Sequence, residues 1–168
     1  MPKTTDQTPR LRAEKIAPPL HVVLVEPEIP PNTGNVARLC AVTGCRLELV
    51  EPLGFSIADR DLKRAGLDYW DKVFLALHAD WDAYLTASPG ARRWLFTSHA
   101  EVTHWDVPFT AGDHLVFGSE PGGLTPYILG GGEGTPIAIP MVPGVRSLNL
   151  STAVGIGVYE ALRRIRIE

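Results

Sequence analysis

Residues 21–36 read HVVLVEPEIPPNTGNV and join two patterns that together indicate the fold. The run His21–Val25 is continuous, apolar and rich in β-branched side chains, as expected of a strand buried on both faces of a parallel sheet. After a proline-stiffened loop, a helix is predicted to start at Asn32 or Thr33, which are both good N-caps, and to end at Gly44. A buried strand followed directly by a helix is the first half of a βαβ unit.

The rest of the chain repeats this alternation. Further strands are predicted at 46–50, 72–77, 93–97, 115–117 and 137–139, and further helices at 56–64, at 80–87 and after Asn149. The polar, proline-punctuated residues 1–19 are expected to form a flexible tail, and residues 20–168 a single domain. The pattern predicts an α/β fold with a mostly parallel sheet and flanking helices, in which ligands bind outside the carboxyl ends of the strands.

Composition excludes several classes of protein. The chain has 168 residues, 45% hydrophobic and 21% charged, which excludes wholesale disorder, a collagen repeat and a coiled coil. No apolar run approaches the roughly 20 residues that span a bilayer, and the N-terminus lacks a signal peptide's apolar core. Cys40 and Cys45 match no common zinc spacing and cannot staple a secreted scaffold. We therefore expect a cytoplasmic protein that is bound to neither membrane nor metal.

The net charge of -3 argues against an indiscriminate nucleic-acid binder, which would usually be strongly basic. Positive charge is nevertheless concentrated locally, in residues 1–19 and at Arg163, Arg164 and Arg166. A basic surface can therefore exist on this acidic chain.

The first of three candidate ligand segments is 30–38, PPNTGNVAR. Free backbone N–H groups at a helix start favour an anion, and Arg38 adds a fixed fork of donors beside them. The segment would grip a phosphate or polarise a hydroxyl. Simple capping beside a solvated arginine is the plainer interpretation.

The second segment, 116–124 or VFGSEPGGL, puts three glycines and a proline after an apolar strand. These residues are costly in a helix or strand and indicate a tight loop, either a plain turn or one whose backbone faces a ligand. Because G-x-S-x-G and G-x-G-x-x-G are both absent, the loop is neither a nucleophile elbow nor a dinucleotide fingerprint.

The third segment, 137–151 or IAIPMVPGVRSLNLS, leaves a strand through a proline-bracketed loop and enters a helix that Asn149 or Ser151 can cap. Gly155 and Gly157 within that helix each cost about 1 kcal/mol relative to alanine. Such a cost indicates that backbone packs closely against another element there.

Other conspicuous residues are less informative. The glycine-rich stretch 130–134 is expected to be a surface loop, because no Walker-type lysine follows it. The five histidines show no metal spacing and are interpreted as structural or surface residues. The tryptophans are predicted to be core or partner-facing anchors, although any of them could stack on a nucleobase; they are Trp70, Trp81, Trp94 and Trp105.

Taken in this order, the segments resemble the trefoil-knotted SPOUT methyltransferases, and among these the small bacterial enzymes that methylate the ribose of the tRNA wobble nucleotide. The likeness runs from about Val22 to Arg164. Its most specific stretches are 26–35 (EPEIPPNTGN), 64–69 (RAGLDY) and 139–143 (IPMVP).

The resemblance implies a SPOUT fold whose C-terminal segment, 137–164, threads through a loop as a trefoil knot, a rare exception to the rules of chain topology. It also implies S-adenosyl-L-methionine as cofactor, S-adenosyl-L-homocysteine as product and no metal. Family members are homodimers with a site completed across the interface, where Gly155 and Gly157 would let two chains approach closely.

Site residues follow from the resemblance position by position. The family's catalytic arginine corresponds to Arg38. The cofactor-binding residues would be Phe96, Gly118, Ile139, Ser147 and Leu148. The substrate-binding residues would be Asn32, Asn35, Glu120, Arg146, Asn149 and Tyr159. Two positions depart from the family pattern: Gly122 stands where an arginine is frequent, and His99 where a lysine is common.

The predicted function is S-adenosylmethionine-dependent 2′-O-methylation of cytidine or uridine 34 of tRNA. Methylation of another tRNA position or of rRNA, and a non-catalytic knotted RNA-binding protein, remain alternatives. A tRNA partner requires basic groups gathered on one face, and these are expected to come from Arg38, Arg60, Lys63, Arg64, Arg146 and the C-terminal arginines.

Overall fold

The computed structural model describes residues 18–57, 73 and 75–167. The strands are β1 His21–Val25, β2 Arg46–Val50, β3 Leu75–His78, β4 Arg93–Phe96, β5 His114–Phe117 and β6 Thr135–Ile137. The helices are α1 Pro30–Thr43, α2 Trp81–Ala87, α3 Pro126–Gly130 and α4 Leu150–Ile167, with a short 3-10 helix at His104–Asp106. Predictions that lie outside the described residues concern the tail through 17, most of the helix at 56–64, the segment 64–69, Trp70 and the first part of the strand at 72–77.

The six strands form one parallel sheet in the order β3-β2-β1-β5-β4-β6. The predicted bounds of β1 and β2 are confirmed. Val22, Val23 and Leu24 have no exposed surface, which confirms that β1 is buried on both faces. The predicted α/β class with a parallel sheet is therefore confirmed. The knot predicted for 137–164 stays a prediction.

Helix α1 corrects the predicted helix start. The helix begins at Pro30, its N-cap is Ile29 with no side-chain cap, and it ends at Gly44 as predicted. Asn32 and Thr33 are not caps: both are buried inside the first turn, and the hydroxyl of Thr33 has no hydrogen-bond partner among the described residues. Proline at the first helical position favours this earlier start, because its missing N–H would be unpaired there anyway.

After β5, the structure differs from the sequence-based prediction at two further places. The last strand lies two residues before its predicted position and ends at Ile137, after which Ala138 forms a bridge with Thr103. Helix α3 was not predicted, although Thr125 caps it through its side chain and Pro126 occupies its first turn. A Thr-Pro pair of this kind is a local start signal that the sequence does contain.

The two faces of the sheet carry separate cores. On one face Leu24, Leu49 and Leu115 pack with residues of α1 and α4 such as Val36 and Val158. The other face packs against α2 and α3 through Val23, Val50, Leu95, Val116, Trp81, Tyr84 and Ile128. In the described part of the chain, no helix is long and apolar enough to cross a membrane.

Gly157 confirms the expected close backbone packing within α4. A Cβ added there would lie 2.9 Å from Cζ of Phe96 and 3.3 Å from Cζ of Phe117. These two rings stack with their centroids 4.4 Å apart. Gly155 differs, because an added Cβ would meet nothing within 4 Å. Of these two glycines, Gly157 is the one that packs closely against other described residues of this chain.

A row of basic side chains crosses the amino ends of four adjacent strands. Register partners share one face of a sheet, so the first residues of β2, β1, β5 and β4 stand side by side; they are Arg46, His21, His114 and Arg93. The imidazoles of His21 and His114 stack with centroids 4.0 Å apart. We call this row, together with Glu48, His78 and Tyr84, the polar cluster.

Hydrogen bonds hold the polar cluster together. Oε1 of Glu48 lies 2.6 Å from Nδ1 of His21, and Oε2 lies 2.7 Å from Nε2 of His78. The hydroxyl of Tyr84 lies 2.7 Å from Nδ1 of His114 and accepts a hydrogen bond from Nε of Arg93. The cluster therefore joins five strands of the sheet to helix α2.

Two pKa values in the polar cluster shift strongly. Burial by itself would raise the pKa of Glu48, but the hydrogen bonds from His21 and His78 outweigh burial and lower this pKa to about 2. Burial, helped by neighbouring His21, lowers the pKa of His114 to about 4. The Glu48 contribution to stability is lost as pH falls from its ordinary pKa of 4.5 toward 2, and the His114 contribution as pH falls from 6.5 toward 4.

We expect the free energy of unfolding to fall between about pH 7 and pH 4.5, because the unfolded chain binds a proton at His114 that the folded chain excludes. His114→Asn keeps a polar group beside Tyr84 and should remove about 1–2 kcal/mol of this loss. Urea unfolding at several pH values across that range measures the free energy of unfolding in each variant. His99→Asn changes an exposed histidine and should keep the full loss; an unchanged pH slope in His114→Asn would contradict the assignment.

Candidate functional site

Strands β4, β5 and β6 are neighbours whose carboxyl ends meet at one edge of the sheet. The backbone N–H of Thr97, just after β4, donates to the carbonyl of Ile137 at 2.9 Å. Phe96 ends β4, Gly118 follows β5, and Ile139 lies two residues beyond β6. The structure thus places these three predicted cofactor residues at the edge where parallel sheets bind ligands.

The side chain of Phe96 belongs to the core. It is 8% exposed, stacks on Phe117 and packs against Gly157. A cofactor contact at this position would therefore come from backbone atoms, which lie at the open end of β4.

The loop after β5 is a tight turn. A Cβ at Gly118 would lie 2.0 Å from the carbonyl carbon of Gly123, so a side chain has no room. The turn closes through a hydrogen bond from the N–H of Gly123 to the carbonyl of Ser119, and Gly123 adopts a φ of 64°. This geometry confirms the predicted tight loop and explains two of its glycines.

Glu120 projects from this turn onto the start of α1. Its carboxylate accepts hydrogen bonds from the backbone N–H groups of Glu28 at 2.8 Å and Ile29 at 3.1 Å. An external anion was predicted to bind beside the helix start. The protein's own Glu120 carboxylate occupies that position instead. Negative charge at this position also interacts favourably with the positive end of the helix dipole.

The same carboxylate begins a relay of hydrogen bonds with a fixed direction. Nδ2 of Asn32 donates to Glu120 at 3.2 Å, and Nδ2 of Asn149 donates to Oδ1 of Asn32 at 3.0 Å. A carboxylate only accepts, so Asn32 must turn its amide nitrogen toward Glu120 and its oxygen toward Asn149. We call Glu120, Asn32 and Asn149 the Glu120 relay.

The Glu120 relay ends as the cap of α4. With its nitrogen committed to Asn32, Asn149 presents Oδ1 to the N–H of Ser151 at 3.0 Å and of Thr152 at 3.3 Å. The predicted capping by Asn149 is confirmed. The relay brings together residues from all three candidate segments, which are separated by up to 117 positions in the chain.

Backbone hydrogen bonds to neighbouring segments hold the loop between β1 and α1. The N–H of Glu26 donates to Val50, and the carbonyl of Pro27 accepts from Gly54. Glu26 has a φ of 52°, a left-handed conformation that is uncommon for a residue other than glycine. The neighbours of this loop therefore impose its shape and fix where α1 begins.

The remaining predicted residues lie on the surface around the Glu120 relay. Asn35 and Arg38 are exposed and three residues apart, on the same side of α1. Arg38 lies about 9 Å along the helix from Asn32, at 1.5 Å per residue. Four others flank or follow Asn149: Arg146 and Ser147 are exposed, Leu148 is half-buried, and Tyr159 is 49% exposed.

His104 was not singled out from the sequence, yet it contacts the third segment. Its backbone N–H donates to the carbonyl of Ala138 at 2.9 Å, and its side chain is buried. Its Nδ1 has no hydrogen-bond partner in the part of the chain that the structure describes. No local pattern marks the residue, because its partner lies 34 positions away on the segment leaving β6.

Within the described residues, one group could supply three metal-ligand atoms within 4.8 Å of one another: His21, Glu48 and His114. The two imidazole planes are only 7° apart, so their in-plane lone pairs run parallel rather than converge. This arrangement suits shared protons better than a metal ion. The two cysteines are buried, and burial raises the pKa of both thiols, that of Cys45 to about 11.

Comparisons with known proteins establish the family of this chain. The model of the SpoU rRNA Methylase family matches residues 19–159. A protein from Polaromonas sp. named tRNA (cytidine(34)-2'-O)-methyltransferase is 51% identical over 150 residues, or 86% of this chain and 90% of that protein. The protein of the same name from Escherichia coli is 48% identical, over 87% of this chain and 94% of its own length.

Solved structures show the same likeness. One from a study of 2-OH methylation of C or U at position 34 of tRNA has a TM-score of 0.85 and 47% identity, covering 89% of this chain and 97% of that one. An AdoMet-bound rRNA methyltransferase from Sinorhizobium meliloti, 24% identical over 86% of this chain and 56% of that one, shares the fold with a TM-score of 0.77. This chain therefore belongs to the SpoU methylase family.

Proposed function

We propose that this protein is a cytoplasmic tRNA methyltransferase that moves a methyl group from S-adenosylmethionine to the ribose 2′-oxygen of nucleotide 34. The observation that carries the proposal is the identity of 47–51% to relatives of that name over about 86% of the chain. At the carboxyl edge of the sheet, the Glu120 relay joins the three segments in which the site is expected.

The cofactor would lie at the ends of β4, β5 and β6. Phe96 and Gly118 offer backbone atoms there, and Ile139 continues the edge. Ser147 and Leu148 lead into the cap of α4. These five residues are the proposed S-adenosylmethionine contacts, and S-adenosylhomocysteine would remain in their place after transfer.

The reaction needs positioning more than strong acid–base chemistry. The 2′-oxygen forms a bond to the methyl carbon as the carbon–sulfur bond breaks, the sulfonium becomes a neutral thioether, and the hydroxyl proton leaves to solvent. An oxygen held close to the methyl group and in line with the breaking bond is the principal requirement.

Arg38 is the proposed catalytic residue. A guanidinium stays protonated in proteins, so Arg38 would donate hydrogen bonds to the developing alkoxide and to the neighbouring phosphate rather than act as a general base. Asn35 shares its side of α1 and would help to orient the ribose. Asn32, Glu120 and Asn149 act in this proposal by fixing the helix starts, while Arg146 and Tyr159 would contact the RNA.

We further propose a homodimer. Gly157 is already used within the chain, so the predicted role of both glycines at an interface narrows to Gly155, which has open space beside it. Ile156 on α4 is 37% exposed, which gives a partner helix apolar surface to cover.

Transfer of tritium from labelled S-adenosylmethionine to bulk tRNA tests the activity. We expect label in a 2′-O-methylated nucleotide, which nuclease mapping should place at position 34. Binding of tRNA should weaken steeply with salt, because phosphate contacts release counterions. Label in rRNA or at another tRNA position would overturn the substrate, and cofactor binding without any transfer would indicate a non-catalytic RNA-binding protein.

Replacing Arg38 tests its role. Arg38→Ala should lower kcat by about 10²–10³-fold, as expected for loss of one preorganised donor, while the Kd for S-adenosylmethionine changes by no more than a few-fold. Arg38→Lys keeps the charge without the planar fork and should recover only part of the rate. Single-turnover transfer and isothermal titration give the two quantities. Turnover like that of the unmodified protein in Arg38→Ala would refute the assignment.

Glu120→Gln tests the relay. An NH₂ group in place of Oε2 would face the N–H of Glu28, and one in place of Oε1 would face both the N–H of Ile29 and Nδ2 of Asn32. Each amide orientation therefore loses at least one hydrogen bond. We expect a loss of about 1–3 kcal/mol in the free energy of unfolding and slower methyl transfer. Glu101→Gln removes an exposed carboxylate elsewhere and is the matched control. Equal stability and rate in the two variants would show that the relay does not order the site.

A further inference from the structure

Trp105 is exposed, unlike the other tryptophans in the described chain. It is 58% exposed in the 3-10 helix His104–Asp106, whereas Trp81 and Trp94 are 7% and 8% exposed. An indole left in water at this level is costly and is typical of a surface that meets a partner.

The backbone carrying Trp105 is firmly held. The N–H of His104 donates to Ala138 and the N–H of Asp106 to Thr103, at 2.9 and 3.1 Å. The hydroxyl of Thr103 donates to the Asp106 carboxylate at 3.0 Å. The buried ring of His104 lies beside the Trp105 indole, with centroids 5.8 Å apart. A partner would therefore meet a preorganised ring and pay little ordering entropy.

One arginine of α4 contacts the backbone of Trp105, and a second is its neighbour in the chain. The Arg164 guanidinium donates to the backbone carbonyl of Trp105, and Arg163, whose side chain is 53% exposed, lies one residue before it. Glu160 bonds both guanidiniums, and the Asp106 carboxylate is bonded to Thr103. The Trp105 segment thus lies against the last turns of α4, which carry two guanidiniums although the whole chain is acidic.

We infer that the surface formed by Trp105, Arg163 and Arg164 binds RNA, with the indole stacking on an unpaired base and the arginines facing the adjoining phosphates. The inference rests on the proposed function and adds to it a contact away from the reacting ribose. Aromatic rings beside cationic groups are the common platform for single-stranded nucleic acid. A second copy of the chain suits this surface less well, because a two-fold contact would bring the same arginines together.

The position of the Trp105 surface determines which kinetic constant it controls. Arg164 is fourteen residues after Leu150, about 21 Å along α4 from the end of the Glu120 relay. A contact so far along the helix stabilises bound substrate and transition state alike. Its loss should raise KM for tRNA and leave kcat unchanged.

Substitution of Trp105 in the full-length protein tests the inference. With a full-length unmodified tRNA transcript, Trp105→Ala should raise the Kd from filter binding and the KM by about 5- to 100-fold, the effect of one lost stacking contact. Trp105→Tyr should stay within a few-fold of the unmodified protein. Arg163→Ala should reduce the slope of log Kd against log salt by about one.

Tyr127→Ala is the matched control, because Tyr127 is 67% exposed and its hydroxyl is bonded to Asp82. It should leave Kd and KM unchanged. Thermal melting shows whether both variants are folded. If they are, equal Kd values for Trp105→Ala and Tyr127→Ala would overturn the inference. Continued methyl transfer to tRNA would then leave the proposed function intact. A change in sedimentation of Trp105→Ala without a change in Kd would assign the surface to a second copy and also overturn it. Absence of transfer to tRNA by the unmodified protein would instead reject the proposed function.

Discussion

The carboxylate of Glu120 is the interaction on which the candidate site depends. It is the acceptor for two backbone N–H groups before α1 and for the amide of Asn32. Because a carboxylate cannot donate, its position dictates the orientation of Asn32 and then of Asn149. One acceptor therefore sets the start of α1, which carries Arg38, and the start of α4. Partly buried charge-assisted bonds of this kind are among the stronger polar contacts in proteins.

The sheet separates this site from the polar cluster. Residues at the carboxyl ends of the strands form loops with exposed backbone, while His21, His114 and Arg93 stand at the amino ends. Buried polar groups specify a unique arrangement when all of them are paired, and a partly paired network is costly. The cluster thereby fixes five strands and α2 to one another, which leaves the loops at the carboxyl ends of the strands to be shaped by ligand chemistry.

Local signals in the sequence predicted much of the fold, and non-local contacts account for the errors. The β-branched run at 21–25 predicted the bounds of β1 correctly because burial on both faces favours such residues, and the short apolar segment RLELV did the same for β2. The start of α1 was misplaced because the carboxylate that holds the backbone just before the helix belongs to Glu120, about 90 positions away, and no local pattern indicates this contact. The grouping of Glu48 with His21 and His114 arises only from strand register. For the site, the sequence indicated the strand ends, but the direction of the relay required coordinates.

This acidic chain can bind an RNA substrate because some of its arginines make contacts within the protein and others are exposed on its surface. Arg92 bonds Asp113 through two nitrogens, and Arg93 bonds Tyr84 and Ser88 while almost fully buried, so neither offers charge to a polyanion. Among the residues that the structure describes, the exposed arginines other than Arg92 lie on α1, on the loop before α4 and in the last turns of α4. Since exposed charges act over about 8 Å at physiological salt, this local distribution governs RNA binding more than the net charge does.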